Sequence, residues 1–416
     1  MFAKIKAALL GIVDAANKAA EPFEPFTRAL ELRPGETLEH DRMEKLAAAL
    51  DSGLAPFMQD RGLYVYSIVN DLGDLCVHQG IYAAMRVMAY KARPTAEAKQ
   101  AASDALDALL LFSDDILLRG ITPNRYDGTV YKPDESKAGQ YWHDTDGRLR
   151  REDASLDSLA GWIFGVAMAS KYLPLNTEQD RRIGQYAQRF ISDGYCLKNR
   201  DGSVTRHGDC RPGPFQAPVR NLAATAMARL GLIHRGLPQW YNLARDYAPE
   251  FARTETHFLW KQGYYNDNMA ILLTAAYCAM TYPNDAGHPE AREGLRILAG
   301  KYARKTNPLL VALCKMNGVS VGSRQEELAE QVLLEFTAAT DMPNGKGPGM
   351  IRNTENPLIK KVEWGGRQYA AQPLPAWQRP PQDFHWQRNP YQLDGATDNR
   401  QNSLDFLVAY WARRIA

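Results

Sequence analysis

Apolar positions recur along most of the chain with the period of a helix. The clearest case runs from Glu152 to Lys171. It is polar at its start (Asp153, Ser155, Asp157, Ser158) and almost wholly apolar from there to Ser170. A helix that is apolar on every side is a buried helix. Asp153 and Ser155 suit the capping of orphan N–H groups at its start. Gly161 and Gly165 share one face and leave room for another backbone to approach. The same design, a polar start leading into an apolar body, is predicted at 71–90 and 264–280. Shorter versions lie at 217–231, 307–316 and 401–415. Between these stretches lie amphipathic, charged ones at 38–58, 95–118, 178–191, 240–253, 289–305 and 323–340.

Four regions break the helical period. Residues 64–68 read as a short strand. Residues 120–152 carry turn signals at Asp127-Gly128 and Asp146-Gly147, and 194–212 carry one at Asp201-Gly202. Asp-Gly between extended runs signals a hairpin. Residues 341–397 are irregular and rich in aromatics.

About twelve helices that alternate between outer and inner character make helical hairpins stacked side by side, because no single hairpin buries both of its faces. Six hairpins can close into a ring with one helix of each pair inside. With this helix count, the alternation and the polar starts Ser155-Leu156-Asp157-Ser158, Tyr265-Asn266-Asp267-Asn268 and Asp398-Asn399-Arg400-Gln401, the chain resembles the (α/α)6 toroid of glycoside hydrolases and polysaccharide lyases. The resemblance covers residues 38–416 and implies an all-α toroid with small β-hairpin insertions, preceded by an N-terminal helix and linker at 1–37. It implies no one family and assigns no catalytic residue.

Composition narrows the classes. A net charge of +2 and a charged fraction of 24% argue against a dedicated nucleic-acid binder. No apolar run reaches the roughly 18–20 residues that span a bilayer. Five cysteines without a CxxC pair suit a reducing compartment and give no zinc signature. Cys196 and Cys210 are the pair to consider for a bridge. The N-terminal residues read as an amphipathic helix, with an export signal as the minor alternative. The cytoplasm is therefore expected, with delivery as an effector or virion component as the alternative.

If the inner helices run in one sense, their N-termini line one face with carboxylates and amides, a surface suited to the hydroxyls of a sugar. Glycoside hydrolysis needs one carboxyl as proton donor and a second as base or nucleophile. Asp157, one turn inside an apolar helix, suits the donor, with Asp267 or Asp74 as partner. For Asp153, Asp267 and Asp398, capping is the rival role; for Asp157 and Asp405 it is a buried hydrogen bond. His78, His143, Asn268, Trp386, Arg388, Tyr391 and Asp398 are the candidate substrate-binding residues. The aromatics of 341–397 serve equally well as a lid that stacks on sugars or as a belt that packs around the helices. No metal-ligand pattern, P-loop, GxGxxG or GxSxG occurs, so no cofactor or metal is expected. The expectation is a hydrolase acting on an oligo- or polysaccharide. A lyase acting on a uronate polymer and a non-catalytic glycan-binding or particle protein are the alternatives.

Overall fold

A computed structural model describes residues 23–24, 29–55, 58–64, 72–122, 135–214, 216–252, 264–302, 306–338, 353–379, 384, 386, 389–393 and 403–416. The described residues form twelve α-helices and a few two- and three-stranded sheets, an all-α chain. The odd-numbered helices are α1 (Arg42–Ser52), α3 (Ala96–Leu110), α5 (Thr177–Ser192), α7 (Gln239–Phe251), α9 (His288–Tyr302) and α11 (Ser323–Leu334). The even-numbered ones are α2 (Leu75–Ala92), α4 (Leu156–Tyr172), α6 (Pro218–Arg235), α8 (Tyr264–Met280), α10 (Pro308–Met316) and α12 (Ser403–Arg414).

The two sets differ as the apolar pattern predicts. α5 buries Ile183, Tyr186, Ala187 and Phe190, a single stripe at helical spacing, and turns its Arg and Glu residues outward. Asn176 and Gln179 cap its start reciprocally, at 2.9 and 3.1 Å. α4 instead buries every residue from Ser158 to Ala169. α2 packs against α4 and α12, α4 against α6 and α8, and α10 against α8 and α12. Among the odd-numbered helices α3 meets α5, α7 meets α9, and α1 meets α11.

The tightest crossing is α2 on α4. A Cβ on Gly80 would sit 2.0 Å from the Gly161 carbonyl oxygen, and one on Gly161 would sit 2.4 Å from Val77 Cα. Gly165 lies against the Gly80 backbone in the same way. The two helices therefore touch backbone to backbone, which only glycine permits.

Three insertions sit beside the helices. β1 (Met58–Asp60) and β2 (Leu63–Tyr64) form a hairpin. Gln79 pins it, accepting from the Tyr64 N–H at 2.7 Å and donating to the Gly62 and Ala105 carbonyls at 2.9 Å. β3 (Gly120–Ile121), β5 (Leu149–Arg151) and β4 (Tyr141–His143) form one antiparallel sheet, with Gly147 in the left-handed region at its turn. β6 (Cys196–Lys198) and β7 (Val204–Asp209) flank Asp201-Gly202 as predicted. The Asp127-Gly128 turn and most of the 64–68 stretch lie outside the described residues.

The long irregular region holds a hairpin that the hydrophobic pattern does not reveal. β8 (Lys361–Trp364) and β9 (Arg367–Ala370) join through Gly365 and Gly366, both at positive φ, as a two-residue hairpin turn requires. Phe23 stacks on Tyr391 at 4.2 Å and meets Trp364 and Tyr369 edge-on. Trp377 Nε1 donates to the Glu31 carbonyl at 3.0 Å, and Arg42 donates to the carbonyls of Leu334 and Phe336. Residues 23–24 and 29–37, in the stretch expected to be a linker, thus contact the far end of the chain. Where 353–393 is described, its large aromatics pack inward as a belt.

Candidate functional site

The N-terminal ends of neighbouring even-numbered helices are tied together by side chains. The Cys76 thiol in the first turn of α2 donates to the Ser158 carbonyl of α4 at 3.5 Å. Phe384 meets His78 of α2 edge-on at 6.1 Å, and Trp386, two residues on, donates to the Asp405 carbonyl of α12 at 2.7 Å. Tyr302 donates its phenol to Asp267 of α8 at 2.8 Å and accepts at its carbonyl from the Thr306 N–H, just before α10.

Asp157 is the second residue of α4. Ser155 is the N-cap, and its N–H donates to Ser158 Oγ at 3.4 Å. Asp153, expected to cap, has another task. It holds φ +63. Its carboxylate accepts from the Arg206 N–H at 2.9 Å and from Gln140 Nε2 at 3.3 Å, and its N–H donates to Asn199 Oδ1. It thereby fastens both β insertions to the start of α4. Thr205 Oγ1 adds a 2.6 Å bond to the Ala154 carbonyl, and Arg200 lies 4.5 Å over the Trp142 ring.

Asp157 is half-buried within that frame. Burial pushes its pKa up to about 6, the neighbouring Asp74 charge adds to the rise, and Arg119 and the Ser155 hydroxyl oppose it. Asp74 takes the N-cap position of α2 but makes no capping bond. Its carboxylate pairs with Arg119 Nη2 at 3.2 Å. The result is two carboxyls side by side: one is kept protonated toward neutrality by its surroundings, the other is an ion-paired carboxylate. A carboxyl whose surroundings raise its pKa is the form that a proton donor requires.

The remaining candidates scatter. Asp267 is buried on α8 and saturated by Lys301 at 2.9 Å and the Tyr302 phenol, an ion pair that joins α8 to α9. Its carboxylate is thereby held between two side chains of α9. Trp386 and Tyr391 are 2% and 0% exposed, so neither ring has a face left for a sugar. His143 is exposed on β4 opposite Leu149. His78 is buried beneath Phe384. Asn268 is buried in the first turn of α8. Arg388 and Asp398 lie outside the described residues. Gln79, Asn221 and Asn307, further polar residues at helix starts, hold a hairpin, the 213 loop and the cap of α10 respectively. Asp405 is fully buried in α12.

Sequence reasoning does not single out Arg119, Gln140 or Asn199 as members of this site. Nothing in their neighbourhoods along the chain marks them, because each acts on an element far away. Among the described residues several buried side-chain atoms at these helix starts have no hydrogen-bond partner: Asn268 Oδ1, Thr306 Oγ1 and Ser403 Oγ. No three His, Cys, Asp or Glu residues among those described come together to hold a metal ion. Two surface cavities, of about 730 and 450 Å³, lie elsewhere. The first is between α1, α11 and the end of α12, and the second is against Trp377 and Lys360. Cys196 and Cys210 are both free thiols, as are the other three cysteines. No helix among the described residues is long and apolar enough to cross a membrane. Compared with models of protein families, with curated proteins and with solved structures, the chain matches none.

Proposed function

We propose that this chain is a glycoside hydrolase built on an (α/α)6 toroid, with Asp157 as proton donor and Asp74 as its partner. The return of α12 to pack on α2 supports a closed arrangement of the helices, although α4 also packs directly on α8. The observation that carries the chemistry is the pair itself: Asp157 with its pKa raised to about 6 beside Asp74 and Arg119. In that role Asp157 passes its proton to the glycosidic oxygen as the bond to the anomeric carbon breaks. Asp74 takes a proton from the attacking water or attacks the carbon itself. Five buried free thiols fit a reducing compartment, so we place the protein in the cytoplasm.

The test is turnover on a panel of neutral and uronate-containing oligosaccharides, followed by release of reducing ends. Asp157→Asn and Asp74→Asn should each abolish cleavage while the far-ultraviolet circular dichroism stays native. Products that absorb as unsaturated uronates identify a lyase instead. Glycan retention without any new ends identifies a binding protein. Unchanged turnover in Asp157→Asn removes Asp157 from the chemistry.

A further inference from the structure

Arg119 lies between α3 and β3, and its bonds run to both sides of the acid pair. The guanidinium Nε donates to the Gly73 carbonyl, Nη2 to the Asp74 carboxylate at 3.2 Å, and Nη1 to the Asp153 carbonyl at 3.3 Å. Its own carbonyl accepts from the Cys76 N–H in the first turn of α2 at 3.2 Å. Its N–H donates to the Arg151 carbonyl on β5 at 2.9 Å. Gly73 and Asp74 lead into α2, and Asp153 leads into α4, so one planar group spans both helix starts.

The residue has no freedom to slide. A Cβ on the following Gly120 would fall 2.2 Å from the Leu72 carbonyl oxygen, and β3 is registered against β5 at Gly120–Arg151 and Ile121–Arg150. A guanidinium presents its donors in a rigid plane, whereas an ammonium is a point charge on a flexible stem. Only the former reaches three acceptors on two elements at once.

We infer that Arg119 is the positioning residue of the Asp74–Asp157 pair: it fixes the start of α2 against the start of α4 and so sets how the two carboxylates face each other. What the pair does rests on the hydrolase reading; how the pair is held does not.

The experiment compares the full chain with Arg119→Lys and Arg119→Met by amide hydrogen exchange and, on any oligosaccharide found to be cleaved, by the pH profile of kcat and KM. Both variants should exchange at least about tenfold faster over residues 73–80 and 152–160, with residues 266–280 of α8 unchanged. Arg119→Lys should keep the wild-type pH profile, and Arg119→Met should move its alkaline limb upward, because the Arg119 charge holds the Asp157 donor's pKa down. Both should lower kcat by about a hundredfold with little change in KM, as misplaced groups do. Wild-type exchange in Arg119→Lys overturns the inference, because a point charge would then suffice. Faster exchange spread evenly over all helices also overturns it, because the role would then be general stability. Should Arg119→Met not fold, Arg119→Gln takes its place under the same criteria. The exchange result needs no substrate, so a panel without cleavage defeats the hydrolase reading and leaves this inference to be judged separately.

Discussion

Replacing Asp157 with Asn should make the protein's stability less dependent on pH, in a direction that the geometry fixes. Burial and the Asp74 charge raise the native pKa of Asp157 from 3.8 to about 6. Below the lower value the group is protonated in both folded and unfolded chains and costs nothing. As pH rises, the unfolded chain ionises first, and the native state is left holding a proton that solvent would remove. The stability associated with protonated Asp157 is therefore complete below about pH 4 and is lost as pH climbs through about 6. At about 1.36 kcal/mol per pH unit the full loss is about 3 kcal/mol, of which about 2 kcal/mol falls between roughly pH 4 and pH 7.5. Asn at 157 keeps the shape and abolishes the titration. Urea unfolding of both proteins, followed by tryptophan fluorescence, should show the variant gaining about 2 kcal/mol on wild type over that window. Asp74→Asn in the same background should shrink the wild-type pH dependence by removing the like charge, and Arg119→Met should enlarge it. A stability difference between wild type and Asp157→Asn that is flat with pH, or that grows toward acid, refutes the reasoning, whatever the protein's activity.

Three further substitutions test the scaffold that holds the pair. Gly161→Ala places a methyl 2.4 Å from Val77 Cα; overpacking of this kind costs about 1–3 kcal/mol, and chemical denaturation should show it despite the better helix propensity of alanine. Lys301→Met removes the cation paired with buried Asp267, so a loss of about 3–5 kcal/mol is expected, and Asp267→Asn in the same chain should restore part of it. Trp386→Ala should cost about 3–5 kcal/mol as a core truncation. Calorimetry that finds normal stability but weakened glycan binding in Trp386→Ala would return that ring to the lid.

The parts of this fold that were legible in the sequence are those where one residue's neighbours along the chain decide its fate. α4 could be read because Ser158 and Ser170 bracket a run with no polar side chain, and its glycines because their four-residue spacing puts them on one face whatever lies opposite. Asp201-Gly202 and Asp146-Gly147 turn where local backbone preference says they should; Gly365-Gly366 follows the same rule and was hidden by the irregular stretch around it. The site was legible only in half. Asp157 and Asp267 look alike in sequence, each an acid at the start of an apolar helix. Their difference lies in what the fold brings to them. Asp267 receives Lys301 and Tyr302, some 34 and 35 residues on, and becomes a fixed structural charge. Asp157 receives a nearby second carboxylate and partial burial, which raise its pKa to about 6. The belt teaches the same lesson: Tyr391 can stack on a sugar or on Phe23, and only the return of the N-terminal segment to the far end of the chain decides for Phe23. A polar or aromatic residue at such a position announces that it needs a partner, but the partner's identity separates scaffold from chemistry, and that identity is a tertiary fact. Arg119 is the limiting case. It has no local signature, yet it touches both helix starts, and the pairing of the two acids depends on it.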